Sequence, residues 1–147
     1  MRRYQDFAAW RLAAELNSAI FKLTSRPPSS VDFKYRDNLR DAADSAQRNF
    51  PEGFGRFAPG DFAHFLDHSR ASLLEVENEL AVGLDRGYFT QEDVDSATLL
   101  VKRALKALSG LQRYLRSPQA KVNAQRARAA HVASRSKKHE RGANRRT

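Results

Sequence analysis

The last 29 residues hold the densest chemistry in the sequence: Lys121, Arg126, Arg128, Arg135, Lys137, Lys138, Arg141, Arg145 and Arg146 stand there with a single acid, Glu140. Cations in that number neutralise phosphates and release the counterions condensed on a nucleic acid, without reading its sequence. If about five of them engage, log affinity falls against log salt with a slope near −4 to −5. The segment has no aromatic residue, so it has no base-stacking platform, and the expected sequence preference is weak. The competing reading is a solubilising tail that binds nothing in particular.

Other clusters offer less. Glu52, Gly53, Phe54, Gly55 and Arg56 put two glycines just ahead of a helix start, where exposed backbone N–H groups can cradle phosphate. The lysine and preceding strand of a P-loop are missing, so the favoured reading is a structural helix-to-helix corner tied by Glu52 and Arg56. His64 and His68, like Glu75 and Glu79, are four apart and share a helical face. A metal site inside a bundle needs inward ligands and a repeated acid-x-x-His spacing. Both histidines point away from the apolar seam described below, and Asp61 with His64 is an unrepeated pair. These residues read as a solvated face, and neither a metal nor another cofactor is expected. Cysteine is absent and the serines show no strand-to-helix elbow, so nucleophilic catalysis has no support and the protein is read as a non-enzyme.

The elements that carry these residues are helices. The first is expected from about Asp6, a plausible N-cap, to Ser25, with Phe7, Trp10, Ala14, Leu16, Ile20, Phe21 and Leu23 as its apolar face. Arg26-Pro27-Pro28-Ser29-Ser30 ends it. A second runs from about Val31 to Phe50 on Tyr35, Leu39, Ala42, Ala43, Ala46 and Phe50. Pro51 predicts a stop or kink there, since continuing a helix through it costs about 3 kcal/mol. The third, Pro59 to Arg86, has the cleanest seam: Phe62, Leu66, Ser69, Leu73, Val76, Leu80 and Gly83 alternate spacings of four and three. Gly87 is placed as its left-handed C-cap. Thr90 then caps a fourth helix, with Phe89 stapled to Val94, and Val94, Leu100, Val101, Ala104, Leu105, Leu108, Leu111, Tyr114 and Leu115 lie along it until Ser117-Pro118. Trp10, Phe62 and Phe65 read as core or interface residues, and Phe57, Phe65, Leu74 and Leu99 as the place to look for subunit contacts.

Tyr4-Gln5-Asp6-Phe7-Ala8-Ala9-Trp10, Asn49-Phe50-Pro51-Glu52-Gly53-Phe54-Gly55-Arg56, Asp61-Phe62-Ala63-His64-Phe65-Leu66 and Ser72-Leu73-Leu74-Glu75 together give the chain a family likeness. It resembles the four-helix-bundle proteins encoded in intervening sequences of bacterial large-subunit ribosomal RNA genes. The Glu-Gly-Phe-Gly-Arg stretch followed by Asp-Phe-x-x-Phe-Leu is the most specific part, and the likeness covers roughly residues 4 to 116. Pro51, where the family usually has Ala, and Ala58, where it usually has Ser, depart from the pattern. That family is similar in fold to Avd, the accessory protein of diversity-generating retroelements, a basic pentameric bundle that binds a reverse transcriptase and nucleic acid. The resemblance implies a homo-oligomer, most simply a pentamer, with a nucleic-acid-linked role.

The expectation is thus an all-α protein: residues 1–118 form an antiparallel up-down-up-down four-helix bundle, because short connections make long helices antiparallel neighbours. Residues 119–147 form a basic tail, disordered or partly helical, since Val122 and Val132 are its only sizeable apolar residues. That tail holds nine Lys+Arg against one Asp+Glu, +8 of the formal +9, whereas residues 1–118 are nearly balanced at 17 against 16. No signal-peptide core and no run of about 18 apolar residues is present, so a membrane span is not expected and a cytoplasmic location is. In function the chain reads as an oligomeric binder of RNA or DNA, an accessory to a reverse transcriptase or other nucleic-acid enzyme. The alternative is a protein-interaction or structural oligomer with no direct nucleic-acid role.

Overall fold

The computed structural model describes residues 3–56 and 58–144, and it is all-helical. The helices are α1 (Ala8–Leu23), α2 (Phe33–Arg56), α3 (Pro59–Phe65), α4 (Asp67–Asp85), α5 (Gln91–Leu115) and α6 (Pro118–Ala143). Short 3-10 turns at Tyr4–Asp6 and Ser29–Val31 precede α1 and α2.

The helices pack as a bundle in which α1 touches α2 and α5, and α4 touches α2 and α5. Hydrogen bonds give the sense of each pairing. Tyr35 at the start of α2 donates to the carbonyl of Glu79 late in α4, and Ser69 early in α4 donates to that of Ala46 further along α2 at 2.9 Å. Asn17 donates to Gln47 at 3.1 Å and Arg40 to Thr24 at 2.7 Å, so α1 and α2 also oppose. Arg70 bonds Ser109 at 2.8 Å, and Arg26, just after α1, pairs with Asp93 in the first turn of α5 at 3.2 Å.

The predicted seams lie where the periodicity puts them. All seven seam residues from Phe62 to Gly83 are buried, as are Tyr35, Leu39, Ala42, Ala43, Ala46 and Phe50 of α2. The small side chains of Ala42, Ala43 and Ala46 let α4 come close, and the buried Ser69 hydroxyl spends its proton on a carbonyl of that same helix. Gly87 has φ 75°, the left-handed conformation. The Tyr88 N–H reaches back to Gly83 at 2.8 Å and the Gly87 N–H to Leu84 at 3.0 Å, the two bonds of a Schellman cap. Thr90 accepts from the Asp93 N–H at 3.1 Å while the Asp93 carboxylate accepts from the Thr90 N–H at 3.4 Å, a reciprocal capping box.

Five expectations need correction. Helix α2 does not stop at Phe50; it runs through Pro51 to Arg56. Phe50 is buried, and Phe54, one turn on, meets the rings of Phe7 and Phe62 edge-on at 5.8 and 6.2 Å, so tertiary packing holds a turn that the backbone alone disfavours. The third helix is divided at Leu66, with a buried Gln112 side chain as the cause: its Nε2 donates 2.9 Å to the Ala63 carbonyl that would otherwise serve the Asp67 N–H. Asp6 is not the cap of α1, because it sits in the preceding 3-10 turn and Phe7 occupies the cap position. Phe21 is not on the core face but 59% exposed, under the guanidinium of Arg40 at 4.2 Å. Finally, the tail expected to be disordered or partly helical is a single helix over residues 118–143: Ser117 caps it, Pro118 fills the first position, and alanine, arginine, lysine and glutamine fill most of its length. Among the described residues, no helix is long and apolar enough to cross a membrane.

Candidate nucleic-acid interface

Helix α6 begins on the side-chain cap of Ser117, whose oxygen accepts from the Ala120 N–H at 3.3 Å. It leans on the rest of the molecule through its first turns. Ala120 is buried, Ala124 is half-buried, and Asn123 donates to the Tyr114 hydroxyl at 3.0 Å. From Gln125 to Ala143 every side chain is exposed. Under its first turns lies a groove of about 620 Å³ lined by Phe7, Phe54, Phe62, Tyr114, Asn123 and Arg128.

Seven of the nine predicted cations, Lys121, Arg126, Arg128, Arg135, Lys137, Lys138 and Arg141, fall on this helix, and all are exposed. Arg145 and Arg146 lie outside the described residues. Among the described residues none of the seven forms an ion pair. A helix sets these cations at fixed intervals along a rod about 39 Å long, whereas a coil would leave their spacing undefined.

The predicted turn residues Glu52, Gly53, Gly55 and Arg56 are helical and do not form a corner. Neither glycine takes a positive φ. Gly53 is glycine because α3 comes close: a Cβ there would lie 2.7 to 2.9 Å from ring atoms of Phe62 and Phe65. No phosphate cradle follows from such backbone, whose N–H groups point into the helix. His64 and His68 are exposed, His64 beside Asp67 at 3.4 Å and His68 edge-on to the Phe65 ring at 5.5 Å. Glu75 and Glu79 lie on the same helix further along. Among the described residues no group of three or more His, Asp or Glu is placed to hold a metal ion.

Two polar networks were not apparent in the sequence. Gln112, 3% exposed, donates to the Ala63 carbonyl and to Asp67 at 2.9 and 2.8 Å and accepts from Arg70 at 2.7 Å, pinning α3 and α4 against α5. At the other end of the bundle the Tyr88 hydroxyl donates to Asp32, with Arg86 at 3.5 Å. That hydrogen bond, with a second from the Tyr35 N–H, holds the Asp32 carboxyl below its usual range, and the same bond pushes Tyr88 up. Burial pushes Tyr35 up as well. Both networks tie helices or their ends together, so they read as structural. Their sequence signal was a lone glutamine at a core position and an acid paired with a tyrosine 56 residues on.

Of the residues suggested for subunit contacts, Leu74 and Leu99 are exposed and Phe65 is half-buried, and Phe57 lies outside the described residues. Phe21, Val31 and Phe33 add exposed apolar surface near the α1–α2 connection, with Arg36 lying 4.9 Å over the Phe33 ring.

Compared with known proteins, the sequence matches the family described as 23S rRNA-intervening sequence protein over residues 5–110, from the turn before α1 to the last turns of α5. Helix α6 falls outside the match. No curated protein matches the chain.

Proposed function

Starting from a chain that belongs to the 23S rRNA-intervening sequence protein family, we propose that it is a non-enzymatic, oligomeric helical bundle that binds nucleic acid through α6 and acts in the cytoplasm. The observation that carries this reading is the run of seven exposed cations on α6, none in an ion pair among the described residues, facing one acid, Glu140. The body is read as an up-down-up-down four-helix bundle in which α3 and α4 together make the third helix; the opposed hydrogen-bonded pairings support it. We further propose a pentamer serving a reverse transcriptase or another nucleic-acid enzyme, as a fold like that of Avd would imply. Exposed Leu74 and Leu99 are the apolar positions offered to such a subunit interface.

Binding to single-stranded and duplex RNA and DNA across a salt series, with the full chain and with a form ending at Ser117, tests the reading. The full chain should bind with a log–log salt slope near −4 to −6 if about five to seven phosphates are neutralised. The shortened form should lose most of that slope. Sedimentation velocity on the same samples reports whether the mass is that of five subunits.

Exposed Phe21, Val31 and Phe33 favour a second reading, a protein-interaction oligomer whose helix α6 is incidental. Salt-insensitive or α6-independent behaviour in the same experiment selects it.

A further inference from the structure

Resting on the proposed nucleic-acid role, we propose that α6 enters the major groove of B-form duplex DNA. The argument begins with where the cations sit around the helix. At about 100° per residue, Lys121, Arg128 and Arg135, seven apart, line one edge, while Arg126, Lys137 and Arg141 line the edge roughly opposite. Between these edges run two faces. One carries Ala120, Ala124 and Ala127, which meet the body or the groove beneath α6, and further along the exposed Lys138. The other points away from the body and carries Val122, Gln125, Ala129, Val132, Ala133 and Ser136, all exposed.

This outward face is small and nearly uncharged from Val122 to Ser136; Glu140 falls on it only beyond that run. A narrow uncharged face with cations on both flanks is complementary to a groove with phosphates on both walls. The B-DNA major groove is about 12 Å wide, and an α-helix with its side chains is about 10–12 Å across, so the helix fits with its flanking arginines and lysines turned to the two backbones. The run from Val122 to Ser136 is about 21 Å long, less than one turn of the duplex, over which a straight helix stays within the groove. At the groove floor, Gln125 can pair with the N6 and N7 edge of adenine, and Val122, Ala129 and Val132 can meet thymine methyls. The body lies on the far side of the helix and does not obstruct the approach.

Other nucleic acids fit less well. The major groove of A-form RNA is too deep and narrow for a helix to read. Single strands are held chiefly by stacking on large aromatic side chains, and α6 has no Phe, Tyr or Trp.

The test uses the full chain and fluorescence anisotropy at one salt concentration, with a mixed-sequence DNA duplex, the RNA duplex of the same sequence, and single-stranded DNA. The DNA duplex should bind about tenfold or more tighter than the RNA duplex, an order set by base-edge contacts that only the open groove allows. Two variants that each introduce one carboxylate separate the mode from simple attraction. Ala129→Glu places a carboxylate at the centre of the outward face, and His131→Glu places one on the opposite side. Circular dichroism checks that both remain as helical as the wild type. Ala129→Glu should weaken duplex DNA binding about tenfold more than His131→Glu does, through repulsion at close quarters with the groove walls. Equal binding of the two duplexes, or equal loss in the two variants, overturns the groove mode while leaving general nucleic-acid binding in place. Failure to bind any of the three overturns both.

Discussion

A single hydroxyl shows how much of this bundle's closure rests on side chains between helices. The Tyr88 hydroxyl, just past α4, donates to Asp32, just before α2, and Arg86 stands by the same carboxylate. The Asp32 carboxyl is therefore held below its ordinary value, first by Tyr88, then by the Tyr35 N–H. A depressed carboxyl contributes stability that is present above its unfolded value, about 3.9, and is lost as pH falls through the lower folded one. Tyr88 is shifted the other way: it favours its neutral form, so its share persists below its unfolded value of about 10 and is lost as pH rises through the raised folded one. Tyr88→Phe removes the Tyr88 titration and the largest of the causes that hold Asp32 down, leaving the Tyr35 N–H and Arg86. Urea denaturation should find the variant less stable than wild type near pH 6, with the gap narrowing as pH falls below about 4. A gap that stays constant down to pH 2 would show that the loss is one of packing and not of the charged pair.

At the scale of elements, Pro51 is the test of what holds the end of α2. Within a helix, proline forgoes one hydrogen bond and its ring crowds the preceding turn, a cost of about 3 kcal/mol, offset by roughly 0.4–1 kcal/mol because it also stiffens the unfolded chain. Pro51→Ala should therefore raise stability by about 2 kcal/mol and the melting temperature by several degrees, read by thermal denaturation. An unchanged or lowered melting temperature would mean that the backbone geometry set by Pro51 is needed to bring Phe54 onto Phe7 and Phe62. The same place marks the limit of legibility in the sequence. The seam from Phe62 to Gly83, the Gly87 cap and the Thr90 N-cap were readable because each is set by spacing within one segment. The persistence of α2 past Pro51 depends on rings from α3 and from the turn before α1. The break at Leu66 depends on Gln112 from α5. Phe21 has the right period for the core face yet lies outside it, because Ala9, Ala13, Leu16 and Ile20 already fill the face toward the other helices. Each miss is a contact between elements, which periodicity within an element does not contain. For the candidate interface, the residue types were legible and their arrangement was not: the cations were visible in composition, but two edges and an outward face exist only once residues 118–143 are a helix.

For the molecule as a whole, the body and α6 divide the work unequally. Residues 1–118 are almost neutral and bury the core, while α6 buries only Ala120 and carries most of the net charge. Ending the chain at Ser117 removes little apolar burial at about 25 cal/mol per Å², so the shortened body should unfold within about 1 kcal/mol of the full chain. Its melting temperature should also depend less on salt, because nine mutually repelling cations and only one acid have gone. A drop of several kcal/mol would instead mean that the groove walled by Phe7, Phe54, Phe62 and Tyr114 depends on α6 as its cover. The helix would then be part of the core, and charge reversal along it would disturb the fold together with binding. A small drop leaves α6 as a separable arm. Its contribution then scales with the number of arms an assembly gathers, since linked weak contacts raise avidity by about 10²–10⁴ when their spacing lets them engage together. Binding that tightens with duplex length up to the reach of the assembled arms, and tightens no further beyond it, is the result that distinguishes gathered arms from independent ones.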